Sequence, residues 1–243
     1  MSVLKLTKEY PFAYETHLHT SEGSACGRST GAEMARACKA AGYTGIFVTE
    51  HFFYGNTAID RSLPWTDWVE GYCKGYEHAK EEGDRIGLQV FFGWESTYDG
   101  TDFLIYGLDK AWLLAHPQIR DCSIEEQYRL VKADGGIVIH AHPFRERDYI
   151  KEVRLFPEWV DGVEVVNAAH VKNNPNDPHP EFDDRALEYA LKYDFPQTGG
   201  SDAHSVRLMG GGMVFPKRLE SMQDFMDAVM GRTGKVLQAD PDF

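Results

Sequence analysis

Short apolar runs rich in Val, Ile and Phe recur along the chain, each followed by a polar or helix-like stretch. They are FAYET (12–16), TGIFVT (44–49), LQVFFGW (88–94), FLIYGL (103–108), GIVIHA (136–141), GVEVVN (162–167) and FPQTGG (195–200). Short runs of this kind, bounded by turn residues, read as buried strands. Between them, STGAEMARACKAAGY offers Ser29 or Thr30 as a helix cap and ends at Gly42. LPWTDWVEGYCKGYEHAKEEG places Trp68, Tyr72 and Tyr76 at four-residue steps, on one helical face. CSIEEQYRLVKADGG pairs a Ser123 cap with Glu126 and terminates at Gly135–Gly136. DDRALEYALKYD forms a short helix before the last run. The alternation predicts βα units and a parallel sheet. Seven such runs predict an α/β barrel of seven strands, with a doubly wound open sheet as the alternative.

A length of 243 residues does not by itself choose between one large domain and two small ones. No repeat, low-complexity tract or long linker divides the chain, so residues 1–243 read as one domain. The net charge of −13 repels nucleic acid and anionic membranes at long range, and a nucleic-acid partner is not expected. Cys26, Cys38, Cys73 and Cys122 form no CxxC pair and suit neither a zinc ribbon nor a disulfide scaffold. MSVLKLTKEY has no apolar signal core, no apolar run nears membrane-spanning length, and the cytoplasm is the expected compartment.

Placed on this frame, the unusual polar residues gather at strand ends. Strand 1 ends in His17 and His19, strand 2 in Glu50 and His51, and strand 3 in Glu95. Strand 5 ends in His140 and His142, strand 6 in Asn167 with His170 beyond, and strand 7 runs into Asp202 and His204. In a βα barrel these ends share one face, where active sites form.

Each motif has a bland reading. The His-x-His of THLHT is an ordinary polar pair in most settings, although i and i+2 share a strand face. Glu22 beyond it is equally an exposed loop acid or a ligand. Glu50 and His51 are a solvated acid and a loop histidine unless the strand end carries a site. Glu95 in GWES is an edge glutamate or a carboxylate bridging two cations. Asp102, opening a strand, reads first as a turn residue. In HAHPF, Pro143 stops the strand, His142 is the better ligand, and His140 reads as a packing or supporting histidine. Arg145 forms a surface ion pair or forks onto a phosphate. GGSDAH repeats the i, i+2 spacing at Asp202 and His204 after a glycine turn.

Together these residues form a constellation: His17, His19, Glu22, Glu50, His51, Glu95, His142, Asp202 and His204. Mixed imidazole and carboxylate donors suit Zn²⁺, Mn²⁺ or Fe²⁺, with no need of a thiolate. They outnumber the ligands one ion takes, so two or three divalent ions sharing Glu95 are expected.

The ordered set HLHT…TEH…GWE…AHPF…GSDAH, spanning about residues 13 to 206, resembles the polymerase and histidinol phosphatase (PHP) family. The resemblance implies a distorted seven-stranded βα barrel, a two- or three-metal centre and phosphoester hydrolysis. It matches His17 and His19 to the first motif, His51 to the second, Glu95 to the bridging carboxylate, His142 to the His-Pro motif, and Asp202 and His204 to the last. The chain departs from the family by having Glu50 before His51, Glu22 where a further histidine or aspartate is usual, and Asp102 in the fourth-strand region.

The expected reaction is metal-assisted hydrolysis of a small phosphomonoester, a nucleotide or a histidinol-phosphate-like metabolite. Ions held by His17, His19, Glu95, His142 and Asp202 would activate water. A third, near Glu22, His51 and His204, would bind phosphoryl oxygens with Arg145. His204 or His170 would protonate the leaving oxygen. The segment NPNDPHPEF (174–182) is a candidate pocket rim. Two alternatives remain: an amidohydrolase-like metal hydrolase, for which a bridging lysine would be expected where Glu95 stands, and a non-enzymatic, metal-stabilised regulatory domain.

Overall fold

A computed structural model describes residues 4–172 and 178–237, so residues 174–177 of the expected rim lie outside the described residues. The chain runs β1 (Phe12–Leu18), α1 (Gly31–Ala41), β2 (Gly45–His51), α2 (Trp65–Tyr72), α3 (Lys74–Ile86), β3 (Gln89–Tyr98) and β4 (Thr101–Tyr106). It continues through α4 (Lys110–Ala115), a 3-10 turn (Pro117–Asp121), α5 (Ile124–Ala133), β5 (Ile137–Ala141), β6 (Gly162–Asn167) and α6 (Ala169–Lys172). It ends with α7 (Pro180–Lys192), β7 (Gln197–Gly200), β8 (Gly212–Phe215), α8 (Met222–Met230) and β9 (Lys235–Leu237).

Helix punctuation follows the sequence. Thr30 caps α1 and Ser123 caps α5, each in a box with Glu33 or Glu126, worth about 1 kcal/mol apiece. The long amphipathic segment is two helices, α2 and α3, separated at Cys73. Its aromatic stripe survives the break: Trp68 stacks on Tyr72 at 4.6 Å, and Tyr76 packs edge-on against Phe92.

The strands form one sheet ordered β7-β6-β5-β4-β3-β2-β1-β8-β9. The segment after β7 returns to β1: Ala203 bridges Leu18, His19 N–H donates to Ala203 O (2.9 Å), and Ala203 N–H donates to His17 O (3.2 Å). The sheet is therefore a nearly closed barrel, not a doubly wound open sheet. It has nine strands among the described residues, not seven. β8 pairs antiparallel to β1, and β9 to β8, as a short extension.

A second correction concerns direction. β4 runs antiparallel to both β3 and β5. The turn joining β3 to β4 is Asp99–Gly100, with φ of 48° and 83°. Two positive φ values make a tight hairpin whose twist matches the strands, and Asp-Gly is a sequence that adopts it. No helix intervenes, so β4 begins at the mouth where β3 ends. Asp102 therefore opens its strand beside the ends of the parallel ones, opposite Thr97 on one side and Ala141 on the other.

The other end of the barrel is filled by apolar side chains. Phe225 of α8 packs on Phe47 (4.3 Å between ring centroids) and Tyr106 (5.1 Å), with Tyr14 and Phe91 alongside. Tyr106 O–H crosses from β4 to donate to Thr16 O at 2.7 Å. Burying each such aromatic contributes roughly 1.5–3 kcal/mol, so the strand ends at the mouth stand on a rigid base.

Candidate metal centre

At the mouth, six elements bring ring nitrogens and carboxylates together around Glu95. Glu95 Oε1 lies 3.2 Å from His17 Nε2 and 3.0 Å from His142 Nε2. Its Oε2 lies 2.6 Å from His51 Nδ1 and 3.6 Å from His19 Nε2. Asp202 Oδ1 is 3.2 Å from His19 Nε2 and 3.5 Å from His17 Nε2. His204 Nε2 is 3.5 Å from His51 Nε2. Asp102 Oδ2 reaches within 4.0 Å of His142 Nε2.

Three overlapping groups result: His17, Glu95 and His142; His17, His19 and Asp202; and His19, His51 and His204. Donor atoms within each group lie within 4.8 Å of one another. Glu95 Oε2 and Asp202 Oδ1 are buried beside imidazole nitrogens, yet none of those contacts has hydrogen-bond geometry, and a buried carboxylate oxygen left so is costly. Imidazole and carboxylate donors with unspent lone pairs fit divalent cations.

The backbone is held in unusual conformations at two of these positions. His142 has φ of 27° and Asp202 φ of 51°, a region that costs non-glycine residues about 1–3 kcal/mol and that clusters at functional sites. β1 slips register against β2 between Glu15 and Leu18, so His17 sits on a bulge. Gly199 and Gly200 do not form the expected turn; they belong to β7 and allow close approach. A Cβ on Gly200 would lie 2.4 Å from His17 Cβ.

Buried partners orient the rings from behind. Glu164 Oε1 lies 3.0 Å from His17 Nδ1, while Glu164 Oε2 accepts from His142 N–H (3.0 Å) and from Asn167 Nδ2 (2.9 Å). Holding Nδ1 leaves His17 Nε2 facing the cluster, as metal-ligating histidines require. Ser24 Oγ lies 3.2 Å from His19 Nδ1 and donates to Glu50 Oε2 at 2.6 Å. Glu15 accepts from His17 N–H, from Ser201 N–H and from the Ser201 hydroxyl. Glu15 and Glu164 were missed from sequence; the one available signal was a lone acid inside an apolar strand.

Charge couples the whole cluster. Burial alone would push His17 down, but Glu164, Asp202 and Glu95 hold it well above the usual histidine range. Burial, with His51 and His204 nearby, pushes His19 well below it. Glu95 and Asp202 stay ionised against their burial, Glu95 through His17 and His51, Asp202 through Arg145 and His17. Burial lifts Glu15 and Glu50 to about 7. Burial would raise the Cys26 thiol, but hydrogen bonds with His204 and His51 bring it down to about 6.

Several expected site residues lie elsewhere. Glu22 does not join the cluster: its carboxylate accepts from Gly31 N–H at the start of α1 and meets His78 Nδ1 at 3.1 Å. Glu50 is a support that accepts from Thr20 and Ser24. His140 stacks on Phe103 at 5.0 Å, with both ring nitrogens buried and unpaired, and burial pushes it down to about 3. Asn167 braces Glu164 and accepts from Ala169 N–H. Arg145 reaches the cluster, donating to Asp202 Oδ2. His170 is set back, its Nδ1 2.6 Å from Asp183 Oδ1. Burial pushes His170 down to about 2 and Asp183 up to about 8, so the pair carries no net charge at neutral pH. Among the described residues, no helix is long and apolar enough to cross a membrane.

Comparison with known proteins agrees with this geometry. Residues 180–233 match the family of PHP-associated segments. An uncharacterized protein of Methanocaldococcus jannaschii is 32% identical over 123 residues, 45% of this chain. That match spans only 49% of the relative's length. A two-domain protein from Bacteroides vulgatus, containing a predicted PHP-like metal-dependent phosphoesterase, superposes with a TM-score of 0.68 at 16% identity. The match covers 98% of this chain and 68% of that one. An amidohydrolase from Chromobacterium violaceum, solved with sulfate and without metal, superposes with a TM-score of 0.56 at 14% identity, covering 93% and 98% of the two chains. Likeness at such identities speaks for the fold alone. The chain thus joins a PHP-associated segment at residues 180–233 to a barrel similar in fold to that of the PHP-like protein from Bacteroides vulgatus.

Proposed function

We propose that the protein is a metal-dependent phosphoesterase acting on small phosphomonoesters, such as a nucleotide or a histidinol-phosphate-like metabolite. The observation that carries this reading is Glu95, whose two oxygens face separate groups of imidazoles. Two or three divalent ions, Zn, Mn or Fe, are the cofactors that these donors favour. Bound there, such ions supply Lewis acidity and lower the pKa of bound water toward roughly 7.

The chain's own residues do the rest. Arg145, whose guanidinium meets Asp202, stands where a phosphoryl oxygen would need a counter-charge. Burial opposes charge on His204, but Asp202 and Cys26 hold it above the usual histidine range. Where the rim is free of metal, His204 can donate a proton to the leaving oxygen; where an ion is bound there, it is a ligand. Burial keeps His170 neutral, which weighs against it as a donor. The net charge of −13 disfavours a long polynucleotide substrate.

The likeness to an amidohydrolase supports a second reading, hydrolysis of a non-phosphate substrate at the same cluster. The test is phosphate release from a panel of phosphorylated metabolites by metal-stripped protein reloaded with Mn²⁺, Zn²⁺ or Fe²⁺. His17→Ala is expected to lose about a hundredfold or more, since removing even an outer partner of a ligand costs roughly 10–100-fold. Phosphate release untouched by that substitution refutes the proposal. Turnover of amides or lactones with no phosphate release supports the second reading.

A further inference from the structure

In a chain of net charge −13, a guanidinium without an oxygen partner stands out. Among the described residues, Arg28 and Arg207 are the two arginines in that state. Every other arginine meets a carboxylate, a backbone carbonyl or an amide oxygen. Both free arginines are exposed, and both flank His204 of the metal centre. Arg28 N–H donates to His204 O at 2.8 Å, and Arg207 follows His204 by three positions. The loop that presents Arg28 is pinned by Gly27 N–H to Ser24 O (2.9 Å) and Ser21 N–H to Ser29 O (2.9 Å). A Cβ on Gly27 would sit 2.2 Å from Thr20 O, so the loop closes this tightly only on glycine.

An open cleft of about 380 Å³ lies between these two segments, lined by Arg28, Ser29, Glu33, Arg36, Ala37 and Val206. Ser29 Oγ accepts from Val206 N–H at 3.3 Å and ties its two walls together. The one acid of the lining is already engaged: Glu33 Oε2 accepts from Thr30 N–H (2.8 Å) and from the Thr30 hydroxyl (3.0 Å). Arg36 is half-exposed and meets Glu82 Oε1 at 3.1 Å. Arg85 grips both oxygens of Glu82, at 2.6 and 3.0 Å, so Glu82 keeps a cation when Arg36 swings away. An exposed pair of that kind holds its arginine weakly. Two guanidinium groups are therefore at the disposal of whatever enters the cleft, beside a metal-centre histidine.

We propose that this cleft is a subsite for a second anionic group of the substrate, held by Arg28 and Arg36 with Arg207 at its edge. The preferred substrate is then a phosphomonoester whose alcohol part carries a further phosphate or a carboxylate. This rests on the phosphoesterase reading and deepens it by naming the substrate class. The scissile phosphate sits at the metal centre, and the rest of the molecule passes over His204 into the cleft. A guanidinium fork matches phosphate and carboxylate alike, by two parallel hydrogen bonds. The field of an acidic chain repels a doubly anionic molecule at long range, so local cations at both of its ends are what such a substrate requires.

Calorimetric titration of the metal-loaded protein with phosphonates, which are not hydrolysed, tests this. The probes are an alkylphosphonate and, over a series of spacer lengths, the matching α,ω-bisphosphonates and ω-phosphonocarboxylates. At the best spacer the doubly anionic ligands should bind more tightly than the alkylphosphonate. Arg28→Ala and Arg36→Ala should each remove about fivefold of that gain, the upper range for an exposed ion pair. Arg129→Ala, which loses only a surface pair with Glu125, should remove none of it. The gain should shrink as salt is raised, because the cleft is open to solvent. The end group with the larger gain identifies the second anion as phosphate or carboxylate. A second anion that adds nothing at any spacer length overturns the proposal and leaves the phosphoesterase reading standing. So does a gain that survives intact in the folded double variant Arg28→Ala/Arg36→Ala. If the folded, metal-loaded protein binds none of the phosphonates, both fall.

Discussion

Glu164 offers a sharp test, because Glu164→Gln changes one atom and reverses one hydrogen bond. In the native site, Oε2 accepts from both His142 N–H and Asn167 Nδ2, while Oε1 faces His17 Nδ1. A glutamine keeps its single oxygen where two donors converge. Its NH₂ must then point at His17 Nδ1, which becomes an acceptor. The ring proton moves to Nε2, the nitrogen that faces Glu95 and Asp202. The ligand atom is then blocked with the backbone unchanged. Losing an outer partner of a metal-bound histidine costs roughly 10–100-fold in affinity, which is about 1.4–2.8 kcal/mol. Competition against a chromophoric chelator at neutral pH reads this directly, with circular dichroism to confirm that the apo fold is intact. Glu164→Ala removes the partner without supplying a donor and should fall in the same range. Wild-type affinity in the folded Glu164→Gln protein would refute the orienting role.

Other consequences are equally concrete. Glu22→Ala should cost about 0.5–1 kcal/mol of stability through the lost contact with Gly31 N–H, and leave the number of bound ions unchanged; fewer ions per chain would restore Glu22 as a ligand. His140→Phe removes two buried, unpaired nitrogens from an aromatic stack and should hold or raise the melting temperature; a fall of several degrees would mean that those nitrogens have partners. Glu15 titrates at about 7 when folded, above its ordinary 4.5, so the folded chain holds a proton that the unfolded chain releases. Its contribution to apo-protein stability, about 3 kcal/mol, is present below pH 4.5 and lost as pH rises through about 7. Glu15→Gln keeps an acceptor for the two backbone N–H groups and should flatten that decline in urea-unfolding free energy; an unchanged pH slope contradicts the assignment.

The clustered donors were legible in the sequence for a topological reason. A barrel carries the ends of its parallel strands to one mouth, so His17, His19, His51, Glu95, His142, Asp202 and His204 converge although far apart along the chain. Asp102 was harder to read, since it opens a strand. Its position makes sense only once the Asp99–Gly100 hairpin reverses β4, and that dipeptide was the overlooked signal. Glu22 misled because closeness in sequence to His19 says nothing about direction; the loop turns it toward α1. Glu164 was invisible because its role depends on His17, a residue of another strand.

The central claim is that Glu95 lies between metal ions. Crystals equilibrated with Zn²⁺ or Mn²⁺ and measured at the metal absorption edge test it most directly. The account predicts anomalous peaks on both sides of the Glu95 carboxylate, one bonded to His17 and His142 and another to His19 or His51, at about 2.0–2.2 Å for zinc. A well-ordered barrel with no peak within bonding distance of Glu95 would contradict it.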